Sequence, residues 1–194
     1  MYALTILLAC TPKLYSPESN DTAGGVWSAP ENSWYSEVPP SSLSEQGFRE
    51  GDVPPDFRML DQLGDEVSLW QFYGQLIVVD ISALWCGPCQ DLAEEVEHTQ
   101  EEYADQGVTY MTLLPENLTN EPPSLDELEY WADAFGITAP VLSDAEEWSY
   151  NVVTPGSTSG FPRLMLIGRD MRIIDAEITP TTDAALRAAI DANL

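Results

Sequence analysis

The chain has 194 residues, of which 44% are apolar, and this is enough to bury one sizeable core with an appendage. Seven Lys and Arg residues stand against 33 Asp and Glu residues, so the net charge of -26 predicts repulsion from phosphate backbones and anionic bilayer surfaces. We therefore expect no nucleic-acid partner. The sequence has no run of about 18 apolar residues that could form a membrane-spanning helix. Its three Cys residues are too few for a small disulfide-stapled scaffold.

The charge is distributed unevenly along the chain. Between Arg58 and Arg163 there is no Lys or Arg, whereas 20 Asp and Glu residues fall in the same interval. This part of the chain must present a strongly negative surface. We interpret it as a solvated acidic coat that maintains solubility, because runs of charge are usually solvated faces. A surface for a basic partner is the alternative.

Residues 2–9 form a short apolar run that ends in a small residue immediately before Cys10. The order Leu7-Leu8-Ala9-Cys10 resembles the end of a bacterial lipoprotein signal, in which Cys follows Leu and a small residue. The resemblance implies that residues 1–9 are a signal remnant and that Cys10 carries a lipid. No Lys or Arg precedes the apolar run, as it would in a complete signal, so an idle thiol at a frayed terminus is the alternative.

The composition of residues 10–51 predicts a flexible acidic tether. The segment is rich in Ser, Pro, Glu, Asn and Gly and has no sustained apolar period, which is typical of a spacer. Trp27, Trp34 and Tyr35 are unusual in such a segment. Docking of these rings on the folded domain is the alternative to an unattached spacer.

From residue 52 onward the hydrophobic pattern predicts strands and helices in alternation. Residues 57–60 and 67–70 flank the turn-forming pair Gly64-Asp65, which indicates a β-hairpin. Residues 76–81 form a β-branched run typical of a strand buried on both faces. The following elements are a helix at 86–106, a strand at 108–114, a helix at 124–135 with a capping box at its start, a short strand at 141–142, strands at 164–167 and 173–178, and a helix from 181 or 182 to 194. This order predicts an α/β fold whose sheet is covered on both faces.

The chemistry of the chain is concentrated in Trp85-Cys86-Gly87-Pro88-Cys89, at the junction of the buried strand and the next helix. Two Cys residues separated by two residues can close a small disulfide, and the free N–H groups at a helix N-terminus stabilise a thiolate. Cys86 lies at that end and is the predicted nucleophile. Cys89 lies one turn inside and is predicted to attack the mixed disulfide formed on Cys86. Gly87 and Pro88 keep the turn tight, because Pro is tolerated in the first helical turn.

Residues 52–194 resemble the thioredoxin superfamily. The resemblance is carried by Val79-Asp80, by the Trp-Cys-Gly-Pro-Cys motif and by Gly160-Phe161-Pro162, which is similar to the cis-proline loop of that family. The run from 56 to 74 and the insertion between 114 and 150 are similar to the TlpA-like and redoxin branch. The resemblance implies a thioredoxin-like α/β fold with a central mixed β-sheet flanked by helices, an N-terminal β-hairpin extension and an insertion before the cis-proline loop.

The resemblance also implies roles for residues outside the Cys pair. Asp80 matches the buried carboxylate that accepts the proton of the resolving thiol, and a carboxylate within a Val/Ile run is costly to bury without a task. An Asp bonded to neighbouring backbone at a strand end is the alternative. The implied substrate-contacting residues are Trp85, Gly87, Pro88, Phe161 and Pro162. The chain departs from the pattern of the family at Gln90, Glu94, Phe161 and Arg163, which leaves substrate choice and redox poise open.

Together these features predict a thiol:disulfide oxidoreductase that exchanges the Cys86–Cys89 dithiol with protein substrates outside the cytoplasm, in the periplasm or cell envelope. The predicted partners are protein thiols and disulfides and an upstream redox partner, and the lipid on Cys10 is the expected membrane contact. We expect a monomer whose only redox group is the Cys86–Cys89 disulfide, with no cofactor and no metal. One alternative is a thiol-dependent peroxidase of the redoxin group, although Ala83 stands where such a site has Thr or Ser. The other is a non-enzymatic module of the same fold used for metal delivery.

Overall fold

The computed structural model of the chain describes residues 27–152 and 160–194. The predicted signal remnant, Cys10 and the first part of the predicted tether lie outside the described residues. The domain predicted from residue 52 onward is described except for residues 153–159.

Seven strands lie within the described residues, and five of them form one central mixed sheet. The strand bounds are Arg58–Leu60 (β1), Glu66–Ser68 (β2), Leu76–Ala83 (β3), Val108–Glu116 (β4), Val141–Ser143 (β5), Arg163–Ile167 (β6) and Ile173–Asp175 (β7). The sheet has the spatial order β5-β4-β3-β6-β7, in which β3, β4 and β5 run parallel and β6 and β7 are antiparallel to their neighbours. All 8 residues of β3 are buried, because the strand has a partner on each edge and a covering layer on each face.

Three helices cover one face of this sheet. Their bounds are Gly87–Tyr103 (α1), Leu125–Phe135 (α2) and Asp183–Asp191 (α3). One face of α1 is buried against the sheet through Leu92, Val96 and Tyr103. Leu128 of α2 and Leu186 of α3 belong to the same core. In the described part of the chain, no helix is both long enough and apolar enough to cross a membrane.

The helix ends follow the predicted capping residues. The backbone N–H of Ser124 donates to the Glu127 carboxylate at 2.8 Å, which closes the predicted capping box of α2, and Gly136 ends this helix with a φ of 67°. Thr182 caps α3, because its hydroxyl oxygen accepts the backbone N–H of the residue three positions on. Helix α1 ends at Tyr103, earlier than the predicted residue 106, since the chain tightens there into a 3₁₀ turn.

The hairpin formed by β1 and β2 covers the opposite face of the sheet. Phe57, Met59 and Val67 point inward from it and are almost completely buried. The predicted hairpin is confirmed, but residues 69–71 form a 3₁₀ turn instead of the end of a strand. The reason is that the Gln71 side chain accepts the backbone N–H of Ser68 at 3.0 Å and turns the chain.

The insertion predicted between residues 114 and 150 supplies α2, β5 and a 3₁₀ turn at Trp148–Asn151. Strand β5 extends the sheet beside β4. Trp148 packs on the hairpin side of the sheet and donates its indole N–H to the Pro55 carbonyl at 2.9 Å. The inserted segment therefore contributes to both faces of the domain.

Residues 27–51 differ from the predicted flexible tether, because they lie against the hairpin side of the domain. The indole N–H groups of Trp27 and Trp34 donate to the carboxylates of Asp56 at 3.1 Å and Asp61 at 2.5 Å. Both rings also pack against the core beneath the hairpin. A Trp side chain buries a large apolar area while its N–H needs an acceptor, and these two carboxylates supply one for each ring. The folded domain thus includes residues 27–51.

We expect Trp34→Ala to lower the free energy of unfolding by about 2 kcal/mol, because ring burial and the hydrogen bond to Asp61 are both lost. Val38→Ala is the matched control, since this side chain lies in the same segment and is 72% exposed. It should change the free energy by less than about 0.5 kcal/mol. Urea titration followed by circular dichroism measures both variants. Negligible effects of both would show that the segment does not stabilise the domain.

Candidate active site

The Cys pair lies at the start of α1, directly after the end of strand β3. The strand ends at Ala83, which is completely buried, and the backbone N–H of Leu84 donates to the Glu116 carbonyl at the end of β4 at 3.0 Å. The N–H of Cys86 donates to the Ala83 carbonyl at 3.1 Å, which closes a turn between strand and helix. This turn places Cys86 at the N-cap position of α1.

Cys86 and Cys89 are joined by a disulfide, with their Cα atoms 5.2 Å apart. The Sγ atom of Cys86 accepts the backbone N–H of Cys89 at 3.2 Å, as an N-cap side chain accepts the free N–H groups of the first turn. In the reduced protein the same Sγ position is where a thiolate on Cys86 would receive this hydrogen bond and the positive end of the helix dipole. Gly87 and Pro88 occupy the first two helical positions, where the missing N–H of Pro leaves no helical bond unmade.

The two sulfur-bearing residues differ in their access to solvent. Cys86 is 4% exposed and Cys89 is completely buried. Trp85 is 48% exposed, and Gly87 and Pro88 are exposed as well. A partner that approaches from solvent therefore meets these exposed residues and the edge of Cys86 before it can reach Cys89.

Asp80 lies inside the sheet, on the face that α1 covers. It is completely buried in β3, between Thr112 of β4 and Leu164 of β6. Side chains alternate along a strand, so Asp80 shares the face of Val78, which belongs to the same core as Cys89. The predicted proton acceptor thus occupies the layer between the sheet and the redox helix.

The surroundings of Asp80 favour its neutral form. Burial raises the pKa of Asp80 to about 7, and the hydroxyl groups of Ser82, Thr112 and Tyr110 oppose this rise in part. The Ser82 hydroxyl donates to Oδ1 of Asp80 at 2.7 Å, whereas Oδ2 has no hydrogen-bond partner within the described residues. The alternative of an Asp bonded to backbone at a strand end does not describe this carboxyl, because its hydrogen bond comes from a side chain.

The cis-proline loop lies beside the Cys pair. The Phe161–Pro162 peptide bond is cis, as the resemblance implied. The Phe161 and Trp85 rings meet edge to face with centroids 6.0 Å apart, so the loop borders the redox motif. Arg163 follows the loop and is buried, and its guanidinium donates to the carbonyls of Ser149 at 2.9 Å and Val152 at 2.5 Å. Arg163, which departs from the family pattern, therefore holds the 3₁₀ turn at Trp148–Asn151 and the residue that follows it.

Glu116 and Tyr150 belong to this site but were not predicted from the sequence. Glu116, at the end of β4, accepts the Trp85 indole N–H at 2.8 Å and the Tyr150 hydroxyl. Burial and the bond to Glu116 raise the pKa of Tyr150. The available signal was the position of Glu116 at the carboxyl end of a strand parallel to β3, because such strand ends meet at one edge of a sheet.

The described residues offer little for a metal ion. Within residues 27–152 and 160–194, no group of three or more His, Cys, Asp or Glu side chains is arranged to hold one. His98 lies exposed on α1.

Comparison with known proteins places this site in a family. The sequence model of the redoxin family matches residues 49–191. The chain belongs to the redoxin family. The thioredoxin-like protein YneN of Bacillus subtilis is 30% identical to this redoxin over 119 residues, which cover 60% of this chain and 68% of YneN. The thiol-disulfide oxidoreductase ResA of Halalkalibacterium halodurans is 23% identical over 126 residues, which cover 65% of this chain and 66% of ResA.

Solved structures show the same fold. A thiol:disulfide interchange protein of the thioredoxin family from Chlorobium tepidum TLS superposes with a TM-score of 0.62 at 20% identity, over 75% of this chain and 97% of that one. A thiol:disulfide interchange protein from a Bacteroides species gives a TM-score of 0.60 at 17% identity, over 75% and 90%. The predicted thioredoxin-like fold is confirmed. The predicted enzyme class is confirmed too: this redoxin is a thioredoxin-like thiol-disulfide oxidoreductase.

We expect Asp80→Asn to stabilise the oxidised protein in a pH-dependent way. Because the folded-state pKa of Asp80 is raised from 3.8 to about 7, the cost of the buried charge is small near pH 4, grows as the pH rises, and levels off above about pH 7. The gain in unfolding free energy should therefore be small at pH 4 and reach up to about 4 kcal/mol at pH 8. Asn keeps the shape of the side chain and can still accept the Ser82 hydrogen bond.

Urea titrations at pH 4, 6 and 8 measure this difference. Asp105→Asn, at an exposed position beyond the far end of α1, is the matched control and should stay within about 0.5 kcal/mol at each pH. A gain that does not depend on pH would contradict the assignment of a raised pKa to Asp80.

Proposed function

We propose that this redoxin exchanges its Cys86–Cys89 dithiol with disulfides of protein substrates outside the cytoplasm. The observation that carries the proposal is the Cys pair in the first turn of α1, with a buried carboxyl in the layer between that helix and the sheet. One sulfur lies at the helix end and at the solvent edge, and the other lies one turn inside. This asymmetry supports different roles for the two thiols.

In the first step, the Cys86 thiolate attacks one sulfur of the substrate disulfide. The substrate S–S bond breaks, a mixed disulfide forms between Cys86 and the substrate, and the second substrate sulfur leaves as a thiolate. The helix N-terminus stabilises the attacking thiolate, and the N–H of Cys89 is its nearest donor. Trp85, Phe161 and Pro162 border the motif and are proposed to contact the substrate chain during this step.

In the second step, Cys89 resolves the mixed disulfide. Its thiol gives its proton to Asp80, and the resulting thiolate attacks Sγ of Cys86. The mixed disulfide breaks, the remaining substrate sulfur leaves as a thiolate, and the Cys86–Cys89 disulfide forms. Two electrons have then moved from the redoxin to the substrate, and a thiol donor acting as upstream partner must return them for the next turnover.

The proposed place of action rests on the N-terminus of the sequence. Leu7-Leu8-Ala9-Cys10 has the order of a lipoprotein signal, and a lipid on Cys10 would hold the domain at a membrane facing away from the cytoplasm. The similarity to the thiol-disulfide oxidoreductase ResA supports exchange between thiols and disulfides as the reaction.

Trapping tests the division of roles between the two thiols. Cys89→Ser removes the resolving thiol, so the mixed disulfide on Cys86 should accumulate when the reduced variant meets an unfolded polypeptide that contains a disulfide. Cys86→Ser leaves the buried Cys89 as the only thiol of the pair and should trap at least about tenfold less through it. Non-reducing gel electrophoresis after acid quenching measures both yields. Equal yields would contradict the assigned roles.

The third variant in this experiment is Asp80→Asn, in which Cys86 and Cys89 are both retained. Slower deprotonation of Cys89 should make the mixed disulfide accumulate transiently, with resolution slowed about a hundredfold and the first attack at its usual rate. Asp105→Asn is the matched control and should resolve at the wild-type rate. Resolution at the wild-type rate in Asp80→Asn as well would withdraw the proton-acceptor role.

A further inference from the structure

A rim of one carboxylate and three aromatic rings borders the redox pair. We name it the carboxylate–aromatic rim, and it consists of Trp85, Glu116, Tyr150 and Phe161. The two carboxylate oxygens of Glu116 are divided between the rings: Oε2 accepts the Trp85 indole N–H at 2.8 Å, and Oε1 accepts the Tyr150 hydroxyl. Phe161 lies edge-on to both rings, with centroid distances of 6.0 Å to Trp85 and 6.4 Å to Tyr150.

The rim is held from two sides by hydrogen bonds. On one side, Glu116 is the last residue of β4, where its backbone carbonyl accepts the N–H of Leu84. On the other side, the buried Asp144 carboxylate accepts the backbone N–H groups of Trp148 and Ser149, each at 2.8 Å. Together with the Arg163 guanidinium, these bonds fix the 3₁₀ turn from which Tyr150 extends. The rim therefore has a defined shape before any partner arrives.

The rim is exposed where the nucleophile is not. Trp85 and Tyr150 are 48% and 43% exposed, whereas Cys86 is 4% exposed. Trp85 directly precedes Cys86 in the chain, and Glu116 links its ring to that of Tyr150. The rim is therefore positioned to contact residues that flank the reacting sulfur of a substrate.

The chemistry of the rim suits a cation. The faces of Trp and Tyr rings attract Lys and Arg side chains, and each oxygen of Glu116 keeps a further acceptor site after binding one ring donor. The charges of Glu116, Asp144 and Glu147 all act on Tyr150. No Lys or Arg occurs in the sequence between Arg58 and Arg163. The buried Arg163 guanidinium interacts electrostatically with Tyr150 but donates its hydrogen bonds to backbone carbonyls, so it does not occupy the acceptor sites of Glu116.

We infer that the carboxylate–aromatic rim is a docking surface for an extended polypeptide segment that carries Lys or Arg beside the cysteine attacked by Cys86. Glu116 is then a specificity-determining residue, because it orients both exposed rings and supplies the charge between them. This inference rests on the proposed function, since it names the class of protein substrate for the same site. It also assigns substrate binding to the part of the acidic surface that lies beside the Cys pair.

The test compares two peptides in single-turnover reactions with the reduced, full-length protein. Each peptide contains one intramolecular disulfide, and the positions that flank the first Cys are Lys in one peptide and Gln in the other. Lys next to a Cys changes the intrinsic reactivity of the disulfide, so each rate constant is divided by that of the same peptide with dithiothreitol. Chromatography of acid-quenched samples gives the rates. At low salt, we expect the normalised rate constant of the Lys peptide to be about ten times that of the Gln peptide.

Two variants with the same change in net charge separate the rim from the overall field of the protein. Glu116→Gln should reduce the basic-to-neutral rate ratio at least about threefold, whereas Asp105→Asn should leave this ratio unchanged. The wild-type ratio should also fall as the salt concentration rises from about 20 mM to about 500 mM, and this arm needs no variant to fold. Equal rates for the two peptides in the wild type, a ratio that does not respond to salt, or equal losses in both variants would overturn the inference.

Failure of the proposed function has a different signature. If neither peptide is reduced although both thiols of the Cys pair can be titrated, exchange with polypeptide disulfides is itself wrong. If both peptides are reduced at equal normalised rates, protein-disulfide exchange stands and only the docking surface is overturned.

Discussion

The hydrogen bond from the backbone N–H of Cys89 to Sγ of Cys86 is the interaction on which the site depends. The first turn of any helix has N–H groups without helical partners, and α1 meets this requirement with the nucleophilic sulfur itself. The same contact therefore caps the helix and prepares a position for a thiolate. The buried strand β3 and the turn at Ala83 keep this N-cap in place, so the stability of the fold and the reactivity of the site have a common origin.

The site contains buried ionisable groups both inside the core and at its edge, and burying their charged forms costs free energy. Asp80 has no cation among the groups that act on it, and burial holds its pKa at about 7, so near neutral pH it exchanges a proton readily. At the edge, Asp144 and Arg163 are buried charged groups that are bonded mainly to backbone, and they hold the turn bearing Tyr150. The first feature serves proton transfer within the protein. The second serves the approach of a substrate.

Much of the fold could be predicted from the sequence because its signals are local. The β-branched run of β3, the capping box of α2 and the Cys pair before α1 are each encoded within a few residues, and the structure has all three. Contacts between distant residues could not be predicted in this way. Glu116 and Tyr150 are 34 positions apart, and Trp34 and Asp61 are 27 apart, so both pairs depend on how whole elements pack. For the same reason, composition alone suggested a tether where two Trp rings dock.

Differential alkylation of the two thiols tests the central claim most directly. The reduced protein is treated briefly with less than one equivalent of iodoacetamide at pH 7, and the label on each Cys is located by mass spectrometry of its peptides. A thiolate stabilised by the N-terminus of α1 at the solvent edge predicts at least about tenfold more label on Cys86 than on Cys89. Equal labelling, or preferential labelling of Cys89, would contradict the account of how this redoxin works.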